Sequence, residues 1–313
     1  MPVPAAGRQT ARALLPFYDR LSKLINTRLV SLRLLAECRT VRPDVLLVIK
    51  GANLRASVLR RIRRRVRPLV NWYGDSLLTP GAAEFVERNS AMYDFFFIID
   101  DRRALERVRV RSPHVATLPF ACDAEFHRPA VLTPEERARY GSPVAFVGTI
   151  LPSRESVLGA VRDLGLKIWG PSRNPWGTWN PERSPLRSNW QGRPAWGEEA
   201  VKIYSASDVT LDIHFSVGEP GPICNVTARV FEVPACGGFL LTNACDQLGQ
   251  LYELGTEMVA YHSAEELRSL TEYYLARPEA RRTIAARAQR RARTEHTFKR
   301  RLEEMFGHLR RND

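Results

Sequence analysis

Cysteine is sparse and unpatterned. The five residues, Cys38, Cys122, Cys224, Cys236 and Cys245, are odd in number and scattered, with no Cys-x-x-Cys pair. That excludes a disulfide framework and a structural zinc site, and it predicts reduced thiols packed as small hydrophobes. Long apolar runs are missing as well: none approaches the ~20 residues that a membrane-spanning helix needs. The opening MPVPAAGRQTARALL lacks a basic stretch followed by an apolar core and a small-residue cleavage site, so the chain is expected to be unprocessed and cytoplasmic. Negative charge is short: 34 acidic residues stand against 47 basic ones, a net charge of +13. Such a surplus predicts attraction to polyanions, whether nucleic acid, an anionic membrane face or phosphorylated small molecules. Most of it is arginine, whose planar fork pairs with phosphate oxygens.

The remaining composition is ordinary, 44% apolar and 26% charged in 313 residues, enough for two domains. Apolar residues at helical spacing run from about Thr10 to Thr40 (Leu14, Leu15, Tyr18, Leu21, Leu24, Ile25, Leu29, Leu32, Leu35). Strand-like segments PDVLLVIKG, LVNWYGDS, DFFFIID and VATLPF then alternate with helical ones. A polar, proline-bearing connection, Asp123–Pro143, precedes a second alternation: VAFVGT, LKIWG, VTLDIHF, GFLLTN and EMVAYH, each followed by a helix. The tail is helical from Ala264 to about Leu309, broken near Pro278. Strands alternating with helices predict parallel sheets covered on both faces. The expected fold class is therefore α/β, two Rossmann-like doubly wound domains. The first spans residues 1–135, the second 136–295, with a carboxy-terminal helix, 296–313, packing back on the first. The first domain opens on a helix where a strand is usual, as a trimmed domain would.

In doubly wound sheets ligands gather beyond the carboxyl ends of strands. Three segments of the second half qualify. In Gly218–Glu232 a GEPGP loop feeds a helix expected to begin near Asn225, whose free N–H groups suit phosphate. Arg229 falls one turn in, and Glu232 three residues further, where a carboxylate could accept from paired ribose hydroxyls. The same spacing equally describes an i,i+3 ion pair on a helix closed by Gly237-Gly238. Gly148–Arg154 offers a strand-end glycine and an arginine that either holds a phosphate oxygen or is simply solvated. Trp169-Gly170 ends the next strand. The loop Pro171–Pro194 holds three of the six tryptophans and is too long for a plain connection. His214, after VTLDIHF, is either a ligand to a donor group or a satisfied structural histidine. Asp75, closing LVNWYGD, is either a proton acceptor or a turn cap. The run Arg55–Arg67 has seven arginines in thirteen residues. It reads as an anionic membrane or acceptor contact, or as a solvated helix face with Val58, Leu59, Ile62 and Val66 inward.

The stretch NVTARVFEVPACGGFLLTNACDQLGQLYELGTEMVAYHSAEEL resembles the carboxy-terminal half of the CgeB-like family, spore maturation protein CgeB and its relatives. PDVLLVIKG, VNWYGDS, LPFACDAEFHRP, VAFVGTILPSRES and LKIWGP extend the likeness from about Pro43 to Leu302. The resemblance implies a GT-B glycosyltransferase of the group-1, retaining class, its two domains facing across a cleft. It implies a nucleoside diphosphate sugar as co-substrate and a glycan, lipid-linked or protein acceptor. On this likeness Glu232 binds the donor ribose, Arg229 and Arg154 lie near the diphosphate, and Gly148 lets the backbone approach the donor. Trp169, Gly170 and His214 complete the donor set. The wider pattern of glutamates eight residues apart is broken at Cys224, which leaves Asn225 for the sugar. Catalysis would then rest on Arg154 and Arg229 charge stabilisation, with Asp75 meeting the acceptor proton. No Asp-x-Asp spacing occurs, and no metal or other cofactor is expected. Two alternatives remain: a nucleotide-sugar hydrolase or epimerase on the same fold, and a basic nucleic-acid-binding protein. The second is disfavoured because the arginines are not interleaved with aromatics, and no nucleic acid partner is expected.

Overall fold

The computed structural model describes residues 25–77, 81–100, 102–110, 114–172, 179–214 and 226–311. Its chain divides into two compact units, one ending at Leu118 and the other beginning at Pro119.

In the first unit helix α1 (residues 25–41) precedes strand β1 (Leu46–Ile49), helix α2 (Ala56–Arg63) and strand β2 (Leu69–Tyr73). Helix α3 (Ala82–Asn89), β3 (Phe95–Ile98), α4 (Arg102–Arg109) and β4 (Val115–Thr117) follow. The four strands are parallel and lie in sequence order, β1-β2-β3-β4. Every residue of β2 is buried, as befits a strand covered on both faces. The core gathers Leu59, Ile62, Leu69, Val86, Phe96 and Ile98. In α2 the apolar residues Val58, Leu59 and Ile62 turn inward with Val66 just beyond, while Arg60, Arg61, Arg64, Arg65 and Arg67 are exposed. Only Arg63 of this run is held by an acidic partner among the described residues, 2.8 Å from Asp94.

The second unit contains helix α5 (Pro134–Tyr140), β5 (Val144–Val147), α6 (Pro152–Gly159), β6 (Leu166–Trp169), α7 (Glu198–Ala206) and β7 (Val209–Asp212). Then come α8 (Arg229–Ala235), β8 (Leu240–Asn243), α9 (Asp246–Leu251), β9 (Val259–Tyr261), α10 (Ala264–Leu275), α11 (Pro278–Glu295) and α12 (Phe298–Arg311). All five strands are parallel, in the order β6-β5-β7-β8-β9. Alternation along β5 splits the core in two: Val144 and Phe146 face one layer with Leu211 and Leu241, Ala145 and Val147 the other with Trp169 and Val230. Strand direction never reverses, but strand order does. From β5 the chain steps outward to β6, then returns to the opposite side of β5 as β7.

The boundary between the units lies ahead of the expected residue 135. The division falls at Leu118, ahead of the Asp123–Pro143 connection, because the connecting chain is bound to the second unit. There Cys122 N donates to His296 O at 2.9 Å and Ala130 N to Ser205 Oγ at 3.0 Å. Helix α12 is part of this same unit, and its Arg301 Nε donates to the Pro119 carbonyl at 3.2 Å. The loop tryptophans Trp179 and Trp190 pack on each other edge to face, 5.7 Å apart. Trp179 Nε1 donates to Glu155 and Trp190 Nε1 to the Gly170 carbonyl, so both indoles are structural. Cys38, Cys122, Cys236 and Cys245 are free thiols and buried, and burial pushes Cys236 up to about 12. Cys224 lies outside the described residues.

Candidate nucleotide-sugar site

The reversal of strand order places a crevice beyond the carboxyl ends of β5 and β7, the position where open α/β sheets bind ligands. Asp212 ends β7 and is fully buried. Its Oδ1 accepts Arg229 Nε at 2.7 Å and lies 2.7 Å from Arg229 Nη2; its Oδ2 accepts Thr227 Oγ1 at 2.8 Å. His214 Nδ1 stands 3.3 Å from the same Oδ2, and its Nε2 pairs with Thr242 Oγ1 at 2.9 Å. Burial alone would raise the Asp212 pKa, but Arg229, His214 and Thr227 outweigh it and hold the carboxyl below its ordinary value. Arg229 Nη1 donates to the Val147 carbonyl at 2.9 Å, so one guanidinium ties the end of β5 to the end of β7.

Arg154 stands in the first turn of α6, behind this pair. Nη1 donates to the Thr149 carbonyl at 2.9 Å, whereas Nε is buried with no hydrogen-bond partner among the described residues. The Arg154 and Arg229 guanidiniums lie 5.9 and 5.5 Å from the centre of the Phe146 ring. Burial first, and Arg229 second, push Arg154 down to about 10. Arg229 has Asp212 as its carboxylate partner, whereas the buried Arg154 has no acidic group within ion-pair distance among the described residues. A buried charge without a partner is costly, and an anionic ligand would relieve it.

In front lies a cavity of about 290 Å³ walled by Gly148, Trp169, Trp196, Tyr204, Arg229 and Glu232. Gly148 N donates to the Trp169 carbonyl at 2.9 Å, which carries the β5–β6 ladder one residue past the strand. A Cβ on Gly148 would sit 2.8 Å from Arg229 Nη1, and one on Gly170 would sit 2.3 Å from the Gly148 carbonyl oxygen. Both positions need glycine because backbone and guanidinium approach so closely. Glu232 faces the cavity from α8, its side chain 27% exposed, and burial raises its pKa against the opposing pull of His127 and Arg229.

The structure therefore brings Gly148, Trp169, Gly170, Arg229 and Glu232 to one crevice, with His214 joined to them through Asp212 and Arg154 beside Arg229 on the Phe146 ring. Asp75 belongs to the first unit, where its Oδ2 lies 2.6 Å from Lys50 Nζ. Asn225 lies outside the described residues, and α8 begins at Arg229 rather than near Asn225. The chain just before it is held differently: Val226 N donates to Gln247 Oε1 at 2.8 Å, and Thr227 is spent on Asp212. Arg229 and Glu232 are not paired with each other: Arg229 turns to Asp212 and Glu232 to His127. Gly237, at φ 78°, does close the helix as a glycine cap. Sequence reasoning passed over Asp212, Thr227, His127 and Trp196. The signal for Asp212 was an acidic residue inside the apolar strand VTLDIHF.

Residues 154–307 match a family model described as "Glycosyl transferase-like". The chain has the α/β fold of the GT-B glycosyltransferases, with parallel, Rossmann-like sheets. Sucrose-phosphate synthase from Thermosynechococcus elongatus is similar at 15% identity and a TM-score of 0.61, over 88% of this chain and 75% of that one. Alr3699/HepE from Anabaena, solved in complex with UDP-glucose, is similar at 12% identity and a TM-score of 0.64, over 89% and 81%. AviGT4, a glycosyltransferase involved in avilamycin A biosynthesis, is similar at 15% identity and a TM-score of 0.57, over 90% and 77%. No curated protein sequence matches the chain.

Proposed function

We propose that this chain is a glycosyltransferase that binds a nucleoside diphosphate sugar in the second unit and transfers the sugar to an acceptor hydroxyl. The observation that carries the reading is the buried Arg154 guanidinium, without an acidic partner among the described residues, next to the Arg229–Asp212 pair at the strand-order reversal and beside a cavity that exposes Glu232. Each part matches one part of the donor. The cluster takes the diphosphate, whose charge grows as the sugar departs, and a fixed, desolvated cation stabilises that charge without reorganising. The Glu232 carboxylate accepts from the ribose diol, and the aromatic wall of Trp169, Trp196 and Tyr204 takes the flat, apolar faces. In this reading the guanidiniums do the work that a metal would otherwise do, and the reaction is metal-independent.

The finer assignments rest on the CgeB-like resemblance: transfer with retention, Asn225 against the sugar, and an acceptor in a glycan, lipid-linked or protein pathway. The exposed arginines of α2 and its continuation fit an anionic acceptor or membrane face. That Alr3699/HepE was solved with UDP-glucose supports a uridine nucleotide as the first donor to try.

Calorimetric titration with UDP, GDP and dTDP tests the reading. One ribonucleoside diphosphate should bind saturably, and Glu232→Ala and Arg154→Gln should each weaken it at least about tenfold, a loss of ~1.4 kcal/mol. Absence of nucleotide binding, together with tight, steeply salt-dependent binding of short DNA, would overturn it.

A further inference from the structure

We propose that His127 is a positioning residue for Glu232, and that the two together read the ribose diol of the donor; this rests on the donor-site reading. His127 walls the same cavity, on a turn that closes on itself. Asp123 Oδ1 accepts the N–H groups of Glu125 and Phe126 at 2.9 and 3.2 Å, and His127 N donates to the Asp123 carbonyl at 2.7 Å. Arg293 Nη1, from α11, donates to the His127 carbonyl at 3.0 Å and ties the turn to the body of the unit.

The same turn fixes the imidazole. Asp123 N donates to His127 Nδ1 at 3.0 Å, so Nδ1 is an acceptor and the neutral ring must carry its hydrogen on Nε2. That Nε2 lies 3.8 Å from Glu232 Oε1, at the mouth of the same cavity. The side chains are 13% and 27% exposed, so the interaction is sheltered from water yet open to the cavity. The groups that act on Glu232 are His127, Arg229 and Asp212, with Tyr204 and Cys236 neutral beside it. Arg229 is already engaged by Asp212 and the Val147 carbonyl, and Asp212 repels the carboxylate. His127 is therefore the one of these groups that lies within 4 Å of a Glu232 oxygen and is not already engaged by Asp212. From the Oε1 side it opposes the effect of burial on the carboxyl and leaves the other oxygen to the ligand.

A carboxylate so held accepts from a vicinal diol and gains little from a 2′-deoxyribose, so the pair should discriminate between them. The test measures the affinities of UDP, GDP and their 2′-deoxy forms by calorimetry for the wild type, His127→Asn and His127→Gln. Asparagine keeps an acceptor for the Asp123 N–H but lacks a group at the Nε2 position, whereas glutamine returns an N–H there. The expected result is a ribose preference in the wild type that falls about tenfold in His127→Asn and is largely restored in His127→Gln. A preference unchanged in His127→Asn, or lost alike in both variants while the ribonucleotide still binds, would overturn the His127 role and leave the donor site standing. If the wild type binds none of these nucleotides, the donor-site reading and this inference both fall.

Discussion

Asp212 is the residue on which the second unit's site converges. Its carboxylate is fully buried yet ionised, because Arg229, Thr227 and His214 close around it. Removing one partner of a buried pair strands the other charge, and that costs about 3–5 kcal/mol. Asp212→Asn should therefore lower stability by that order and release Arg229 from β7. It should also change the acid response. The folded pKa of Asp212 is depressed below the ~3.9 of an unfolded aspartate. Its stabilisation is present above that unfolded value and is lost as pH falls through the folded one, because the unfolded chain then binds more protons. Urea midpoints from pH 7 down to pH 2.5 should fall more steeply for the wild type than for the variant; parallel curves would remove Asp212 from this role. Arg229 and Glu232 were legible in the sequence because they fall near a glycine-rich loop with recognisable spacing. Asp212 and His127 were not, since each acquires its meaning from a partner distant in the chain: Arg229 is seventeen residues from Asp212, and Glu232 more than a hundred from His127.

At the scale of elements, the loop after β5 does the most with the fewest atoms. Gly148 lets the Arg229 guanidinium lie against the strand end, and the contact it allows is the one that joins β5 to β7 through the Val147 carbonyl. Gly148→Ala places a methyl 2.8 Å from Arg229 Nη1 and 3.3 Å from the Phe146 ring. Overpacking of this kind costs about 1–3 kcal/mol. Thermal unfolding should show the loss, and nucleotide affinity should fall with it; a variant as stable and as tight-binding as the wild type would mean that Arg229 moves aside freely. The strands themselves were readable from short apolar runs bounded by glycine and proline, and nearly all fall where those runs lie. The start of α8 was not. Helical spacing could be followed back to Asn225, but the Val226 N–H and the Thr227 hydroxyl go to Gln247 and Asp212, and the first turn starts only from the Thr227 carbonyl. In the tryptophan-rich loop Glu155 and the Gly170 carbonyl claim the Trp179 and Trp190 N–H groups, while the exposed ring that walls the cavity, Trp196, lies just beyond that loop.

The whole molecule sorts its chemistry by topology. Among the described residues the first sheet runs in sequence order and has no reversal, whereas the second reverses between β5 and β7. Two similar alternations of strand and helix in the sequence thus give one sheet with a crevice built into its order and one without. Local pattern cannot show this, because strand order is decided by pairings between distant segments. The surplus of +13 was visible at once, but its distribution was not: part is an exposed arginine face on α2, part the buried Arg154–Arg229 cluster. Only the second has the fixed geometry that donor chemistry needs. Hydrogen exchange with and without saturating UDP, or whichever of the tested nucleotides binds, separates the two most directly. The account predicts protection at residues 147–154, 166–171, 194–204 and 226–233, around the β5–β7 crevice. Protection confined to residues 55–67, with those four segments unchanged, would contradict it.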